Sequence, residues 1–123
     1  MSRASRLNPT ELSVVGIDIG KDVCHSIGFD PSGTIVLRRK IKRLALAATF
    51  ERLPRCIVGL EACLSAHFVS RTLRQLGFEP RIIPAKYTEP FVKGQKNDYN
   101  DAEGIAEAAL RPNLKLVSEK TQD

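Results

Sequence analysis

The chain has 123 residues, 42% of them hydrophobic and 27% charged, which is the composition of one ordinary globular domain. A formal net charge of +5 suits a polyanionic partner without requiring one. No apolar run approaches the roughly 20 residues of a membrane-spanning helix, and the polar segment 1–10 lacks the apolar centre of a signal peptide, so we expect a cytoplasmic protein with no membrane contact.

The first half of the chain predicts three consecutive strands. An apolar, β-branched run over residues 13–20 predicts a buried strand, and residues 23–29 predict a second one. Pro and Gly in the segment 30–33 predict a turn, after which alternating apolar positions predict a third strand over 34–41. Short connections between the three strands predict an antiparallel meander.

The second half alternates helices with strands. The predicted elements are a helix over 44–53, a strand over 56–60, a helix over 64–76, a strand over 78–83, a loop over 85–97 and a helix over 98–110. The fully apolar strand over 56–60 is expected to lie centrally and parallel to the first strand.

Three antiparallel strands followed by βαβ units predict an α/β fold with a mixed sheet and flanking helices. This order is that of the ribonuclease H-like architecture and, in part, that of the actin and sugar-kinase ATPases. We expect one domain over residues 13–112, a flexible lead over 1–12 and a polar tail over 113–123.

Two carboxylates stand out in the strand pattern. Asp18 interrupts an apolar run, where a buried charge is costly unless it is paired or coordinated. Glu61 directly follows the strand over 56–60, at the strand end where open α/β sheets bind ligands. Two simpler explanations stay open. One is an exposed strand face for Asp18, and the other is the dipole of the next helix, which favours an acid at Glu61.

Two further carboxylates begin the last predicted helix. Helical spacing places Asp98 directly above the apolar stripe of that helix and Asp101 at its margin. The alternative is that Asp98 caps the helix and Asp101 is its capping-box partner. Four converging carboxylates would repel one another, and divalent cations remove that conflict. The set therefore predicts a centre for Mg²⁺ or Mn²⁺, with two ions about 3.5–4 Å apart, acting on phosphodiesters.

Four segments together resemble the N-terminal, RuvC-like domain of the DEDD transposases, the recombinases of bridge-RNA-guided bacterial insertion sequences. The segments are Gly16–Lys21, Gly59–Ala62, Ile83–Lys86 and Lys96–Ala102. The resemblance covers residues 13 to 118 and implies a ribonuclease H fold and a DNA substrate. It also implies a guide RNA and, for the full-length protein, a homo-oligomer. The metal-binding catalytic tetrad that it implies is Asp18, Glu61, Asp98 and Asp101.

The family also has parts that this chain lacks. By resemblance, the parent proteins continue into long basic helices and a second domain with a serine nucleophile, whereas this chain stops at Asp123. We therefore expect a truncated form that contains the metal centre without the nucleophile.

The remaining polar residues offer weaker signals. Candidate nucleic-acid contacts are Arg38, Arg39, Lys40, Lys42 and Arg43 in one basic run and Lys86, Lys93 and Lys96 before the acidic pair. The alternatives are an edge strand protected by charge and a solvated loop. His25 and His67 have no partner at catalytic spacing, and we interpret both as structural.

Two other functions stay open. The Gly16–Gly20 segment before a hairpin resembles the first phosphate loop of sugar-kinase and actin-type ATPases, although Lys21 follows where those proteins have Thr or Ser. A non-catalytic, nucleic-acid-binding ribonuclease H-like module is the second alternative. Stabilisation by ATP would favour the first, and nucleic-acid affinity without a metal response would favour the second.

Overall fold

The predicted mixed sheet is present in the computed structural model, which describes residues 11–92 and 97–120. Its five strands lie in the order β3-β2-β1-β4-β5. They are β1 (Val14–Ile19), β2 (Val23–Phe29), β3 (Ile35–Lys42), β4 (Ile57–Glu61) and β5 (Glu79–Ile83). The first three are antiparallel, β4 pairs in parallel with β1, and β5 pairs in parallel with β4. This confirms the α/β, ribonuclease H-like fold class.

The α-helices pack on both faces of the sheet. They are α1 (Leu46–Glu51), α2 (Leu64–Gln75), α3 (Ala85–Thr88) and α4 (Asp98–Ala109). A 3-10 turn over Arg43–Ala45 begins the helix predicted over 44–53. The predicted loop over 85–97 contains α3 and a 3-10 turn over Glu89–Phe91, so that expectation was wrong in part. Single turns of helix are too short to leave a periodic apolar pattern.

The two faces of the sheet have different cores. Alternation along the strands directs large apolar side chains towards α1 and α2, where Leu37, Phe50, Leu60 and Leu73 are fully buried. We call this side the α1/α2 face. The other side, the α4 face, packs against the small residues of α4, such as Ala106.

Two glycines allow α4 to lie close to the sheet. Gly16 in β1 and Gly59 in β4 are partners in the parallel register. A methyl group at Gly16 would overlap the carbonyl oxygen of Ala102, and one at Gly59 would lie 2.8 Å from the Cβ of Ala109. The helix therefore rests directly on the backbone of the two central strands.

Both ends of the described chain contact the domain. Leu12, which we had assigned to the lead, is buried in the core. In the segment predicted as a polar tail, Val117 bridges to Ile82 of β5, and Glu119 accepts a hydrogen bond from the Ser70 hydroxyl in α2. Within residues 11–92 and 97–120, no helix is long and apolar enough to cross a membrane.

Candidate metal centre

Strand geometry directs two predicted acids to one place. Residues two apart on a strand share a face, so Asp18 lies on the same face as Gly16, and Glu61 on the same face as Gly59. Because β1 and β4 are parallel neighbours, both acids stand at the same edge of the sheet. The glycines admit α4 beside them, and its first turn therefore meets this edge.

The first turn of α4 supplies the other two acids. Asn97 caps the helix, and its side chain accepts a hydrogen bond from the backbone N–H of Asn100 at 2.9 Å. The alternative in which Asp98 is the N-cap is therefore wrong. Asp98 and Asp101 both lie inside the first turn, where the helix dipole favours negative charge.

Three of the four acids form a tight group. One carboxylate oxygen from each of Asp18, Asp98 and Asp101 lies within 4.8 Å of the others. Glu61 is outside this group, and its carboxylate accepts a hydrogen bond from the hydroxyl of Thr88. All four acids nevertheless line one cavity of about 320 Å³, together with Thr88, Glu89 and Val92.

The electrostatics of the cavity are unfavourable for four ionised carboxylates. The pKa of the Asp18 carboxyl is raised from 3.8 to about 6, and burial is the largest cause of this rise. Repulsion by Asp101, Asp98 and Glu61 adds to this rise in pKa. The donors are all carboxylate oxygens, which are the ligands that hard divalent cations prefer. The residues present therefore fit Mg²⁺ or Mn²⁺.

His25, which we interpreted as structural because it has no partner at catalytic spacing, lies beside this site. It lies directly opposite Asp18 in the β1–β2 register. Its Nε2 is 3.7 Å from an Asp98 carboxylate oxygen, and its ring meets Tyr99 edge-on with centroids 4.8 Å apart. The proximity of His25 to Asp18 was predictable from the sequence, because a tight hairpin around residues 20–23 places the two residues opposite each other.

Thr88, Glu89 and Val92 line the cavity and were missed by the sequence analysis. The Thr88 side chain is buried, and its hydroxyl contacts both the Glu61 carboxylate and, at 3.0 Å, the carbonyl oxygen of Ala85. Gly104 of α4 lets this segment approach, since a methyl group there would lie 2.9 Å from Val92. No sequence pattern marks a threonine for this position.

The basic candidates divide between the two faces. Strand alternation puts Arg38 and Lys40 on the α4 face with the carboxylates, and Arg39 on the opposite face. Lys42, at the end of β3, lines a separate cavity beside α1 and α2. Arg43 donates a hydrogen bond to the carbonyl of Lys21 at 3.0 Å and lines the same cavity as Lys42.

The remaining basic candidates precede α4. Lys86 is exposed, with its Nζ 5.1 Å from the ring centroid of Tyr87. Lys93 and Lys96 lie outside the described residues.

Comparison with known proteins gives consistent matches. A family model described as a transposase, of the DEDD type represented by IS110, matches residues 15–123. A probable family 20 transposase of Pseudomonas aeruginosa is 43% identical over 91% of this chain and 33% of its own length. The transposase of insertion sequence element IS1328 from Yersinia enterocolitica is 38% identical over 91% of this chain and 34% of its own length.

A third relative extends the same pattern. The transposase of insertion sequence element IS1111A from Coxiella burnetii is 36% identical over 94% of this chain and 32% of its own length. The chain thus spans about a third of the length of the relatives that it matches.

Proposed function

Because this chain belongs to the DEDD transposase family of the IS110 type, we propose that residues 13–112 form a metal-dependent catalytic domain acting on DNA phosphodiesters. The observation that carries the proposal is the convergence of Asp18, Asp98 and Asp101 within 4.8 Å. The transposase matches do not favour an ATPase fragment.

The carboxylates of the centre are the proposed metal ligands. Asp18, Asp98 and Asp101 bind the cations, and Glu61, which lines the same cavity, is the fourth metal ligand of the catalytic tetrad. Two bound Mg²⁺ or Mn²⁺ ions would supply charge stabilisation at the phosphoryl oxygens. His25 lies beside these ligands, with its Nε2 3.7 Å from an Asp98 carboxylate oxygen.

The proposed activity of the whole parent protein also requires residues outside this domain. The relatives are about three times as long as the stretch they share with this chain. We propose that this domain works within a longer, homo-oligomeric protein, in the bacterial cytoplasm, with a guide RNA and with a serine nucleophile from another domain. The 123-residue chain by itself should then give no covalent protein–DNA adduct when it is incubated with DNA substrates and Mg²⁺.

Thermal melting with and without Mn²⁺ tests the metal centre. A ligand that binds only the native state raises the melting temperature by mass action, so millimolar Mn²⁺ should stabilise the wild type. Asp18→Asn removes one charged ligand from the cluster and should lose this stabilisation. Asp22→Asn is the matched control, because Asp22 is exposed and lines a different cavity.

Two outcomes would decide against the proposal. An Mn²⁺ response of Asp18→Asn equal to that of the wild type would remove Asp18 from the metal site. Nucleic-acid binding with no Mn²⁺ response in any variant would favour the non-catalytic ribonuclease H-like module instead.

A further inference from the structure

A row of polar side chains crosses the sheet beside the carboxylate cavity. In the strand registers, Asp18 of β1 is opposite His25 of β2, and His25 is opposite Lys40 of β3. All three lie on the α4 face. Neighbouring strands are about 4.8 Å apart, so the backbone of Lys40 is about 10 Å from that of Asp18. About three stacked nucleotides of one strand span this distance.

Arg38 lies in the next row on the same face. Its guanidinium carbon is 3.7 Å from the ring centroid of Tyr99, the residue that follows Asp98 in α4. Stacking on an aromatic ring uses the flat face of a guanidinium and leaves its N–H edge for the bidentate binding of phosphate oxygens. The exposed Arg38 side chain is therefore fixed to the same helical turn that carries the candidate metal ligands.

We propose that Arg38 and Lys40 form a phosphate-binding track that leads a nucleic-acid backbone across the sheet to the carboxylate cavity. The proposal rests on the proposed function, because it names the route by which a phosphodiester reaches that site. A polyanion approaching acidic side chains is repelled, and cations on the same face offset this repulsion. The ligand is a phosphodiester backbone, which DNA and RNA share.

Arg39 provides a matched control inside the same basic run. It carries the same charge, one residue away, on the opposite face of β3. The buried Ser26 donates its hydroxyl hydrogen bond to the Arg39 carbonyl oxygen at 3.0 Å, an interaction that a side-chain substitution at residue 39 preserves. A general effect of net charge would therefore appear equally at positions 38 and 39.

The test measures affinity by fluorescence anisotropy for single-stranded DNA, duplex DNA and RNA of one sequence, at several salt concentrations. The proteins are the full 123-residue chain and its Arg38→Ala, Lys40→Ala and Arg39→Ala variants. Arg38→Ala and Lys40→Ala should each weaken binding about two- to fivefold. Each should also flatten the salt slope on duplex DNA by about 0.9. Arg39→Ala should match the wild type in both respects.

The alternative outcomes are separable. Equal losses of affinity in the Arg38→Ala and Arg39→Ala variants would overturn the track. If removal of the Arg38–Tyr99 contact disturbs the fold, the comparison of Lys40→Ala with Arg39→Ala still tests the track. A loss of affinity for all three nucleic acids supports recognition of the phosphodiester backbone that they share. A loss of affinity for only one of them supports the track and identifies that nucleic acid as its ligand.

Melting of the same variants with Mn²⁺ separates the track from the metal centre. A normal Mn²⁺ response together with equal effects at residues 38 and 39 would overturn the track alone. No Mn²⁺ response in any variant, together with a difference between residues 38 and 39, would overturn the metal centre and retain the track.

Discussion

The two faces of the sheet are built from residues of very different size. On the α1/α2 face, Phe50 and Leu60 fill the space between the sheet and its helices, and both are fully buried. On the α4 face, Gly16 and Gly59 leave almost no such space. The first arrangement maximises buried apolar area, which stabilises the fold. The second brings a helix backbone close enough for short aspartate side chains from α4 and β1 to meet.

We therefore expect the α1/α2 face to contribute most of the stability and the α4 face to determine metal binding. Substitutions on the α1/α2 face should lower the free energy of unfolding without changing the metal response. Substitutions on the α4 face should change the metal response even where their effect on stability is small. Four variants test this division, in order of decreasing effect on stability.

Phe50→Ala should have the largest effect on stability. Removing a fully buried phenylalanine leaves a cavity and lowers the free energy of unfolding by about 3–5 kcal/mol. The increase in melting temperature on adding Mn²⁺ should persist, because Phe50 lies on the α1/α2 face. Urea denaturation measures the free energy of unfolding, and thermal melting with and without Mn²⁺ measures the metal response. A folded Phe50→Ala protein without an Mn²⁺ response would contradict the division between the faces.

Gly16→Ala should affect both stability and metal binding. The added methyl group overlaps the Ala102 carbonyl, so α4 must shift, at a cost of about 1–3 kcal/mol, and Asp98 shifts with it. Gly33→Ala is the control, because Gly33 has a φ of +88° in open space and the substitution costs about 1–2 kcal/mol through backbone strain alone. The Mn²⁺ response should be lost only in Gly16→Ala, and its survival there would show that the close approach of α4 is dispensable.

Asp18→Asn should change how the stability of the metal-free protein depends on pH. The folded pKa of about 6 lies above the ordinary value of 3.8, so the protonated carboxyl contributes stability below about pH 4 that is lost as the pH rises to about 6. After allowance for solvent screening, we expect the loss to be on the order of 1–2 kcal/mol. Asp18→Asn lacks this loss and should equal or exceed the wild type above pH 6 in EDTA. Parallel pH profiles of the two proteins would contradict the raised pKa of Asp18, to which burial contributes most and repulsion by the other carboxylates adds.

Thr88→Val should have the smallest effect on stability. It removes the hydroxyl that orients Glu61 and costs about 1 kcal/mol of stability. Loss of such an orienting contact should weaken Mn²⁺ binding about tenfold. Thr72→Val on α2 is the control, since the Thr72 hydroxyl donates to the carbonyl of Phe68 in its own helix, at 3.1 Å. Equal Mn²⁺ affinities in the two variants would exclude a positioning role for Thr88.

Local sequence pattern was sufficient for most of the fold. The strand predicted over 23–29 is confirmed to the residue, and the strand predicted over 13–20 is confirmed within one residue at each end. These segments were predictable because period-two burial and flanking turn residues are local properties. The helical turn at Ala85–Thr88 was not predictable, because four residues contain too little pattern.

The sequence by itself determined which acids could meet. Asp18 and Glu61 follow glycine by two residues at the ends of parallel strands, and Asp98 and Asp101 begin a helix, all of which are local facts. Only the tertiary structure decided that Glu61 binds Thr88 outside the tight group.

The tertiary structure also decided that Arg38 stacks on Tyr99 of α4. Alternation fixes that residues 38 and 39 face opposite ways, but it does not fix which way faces α4. Which strand face packs against α4 depends on contacts between residues far apart in sequence. The helix α4 packs on Gly16 and Gly59 because larger side chains at these positions would overlap it.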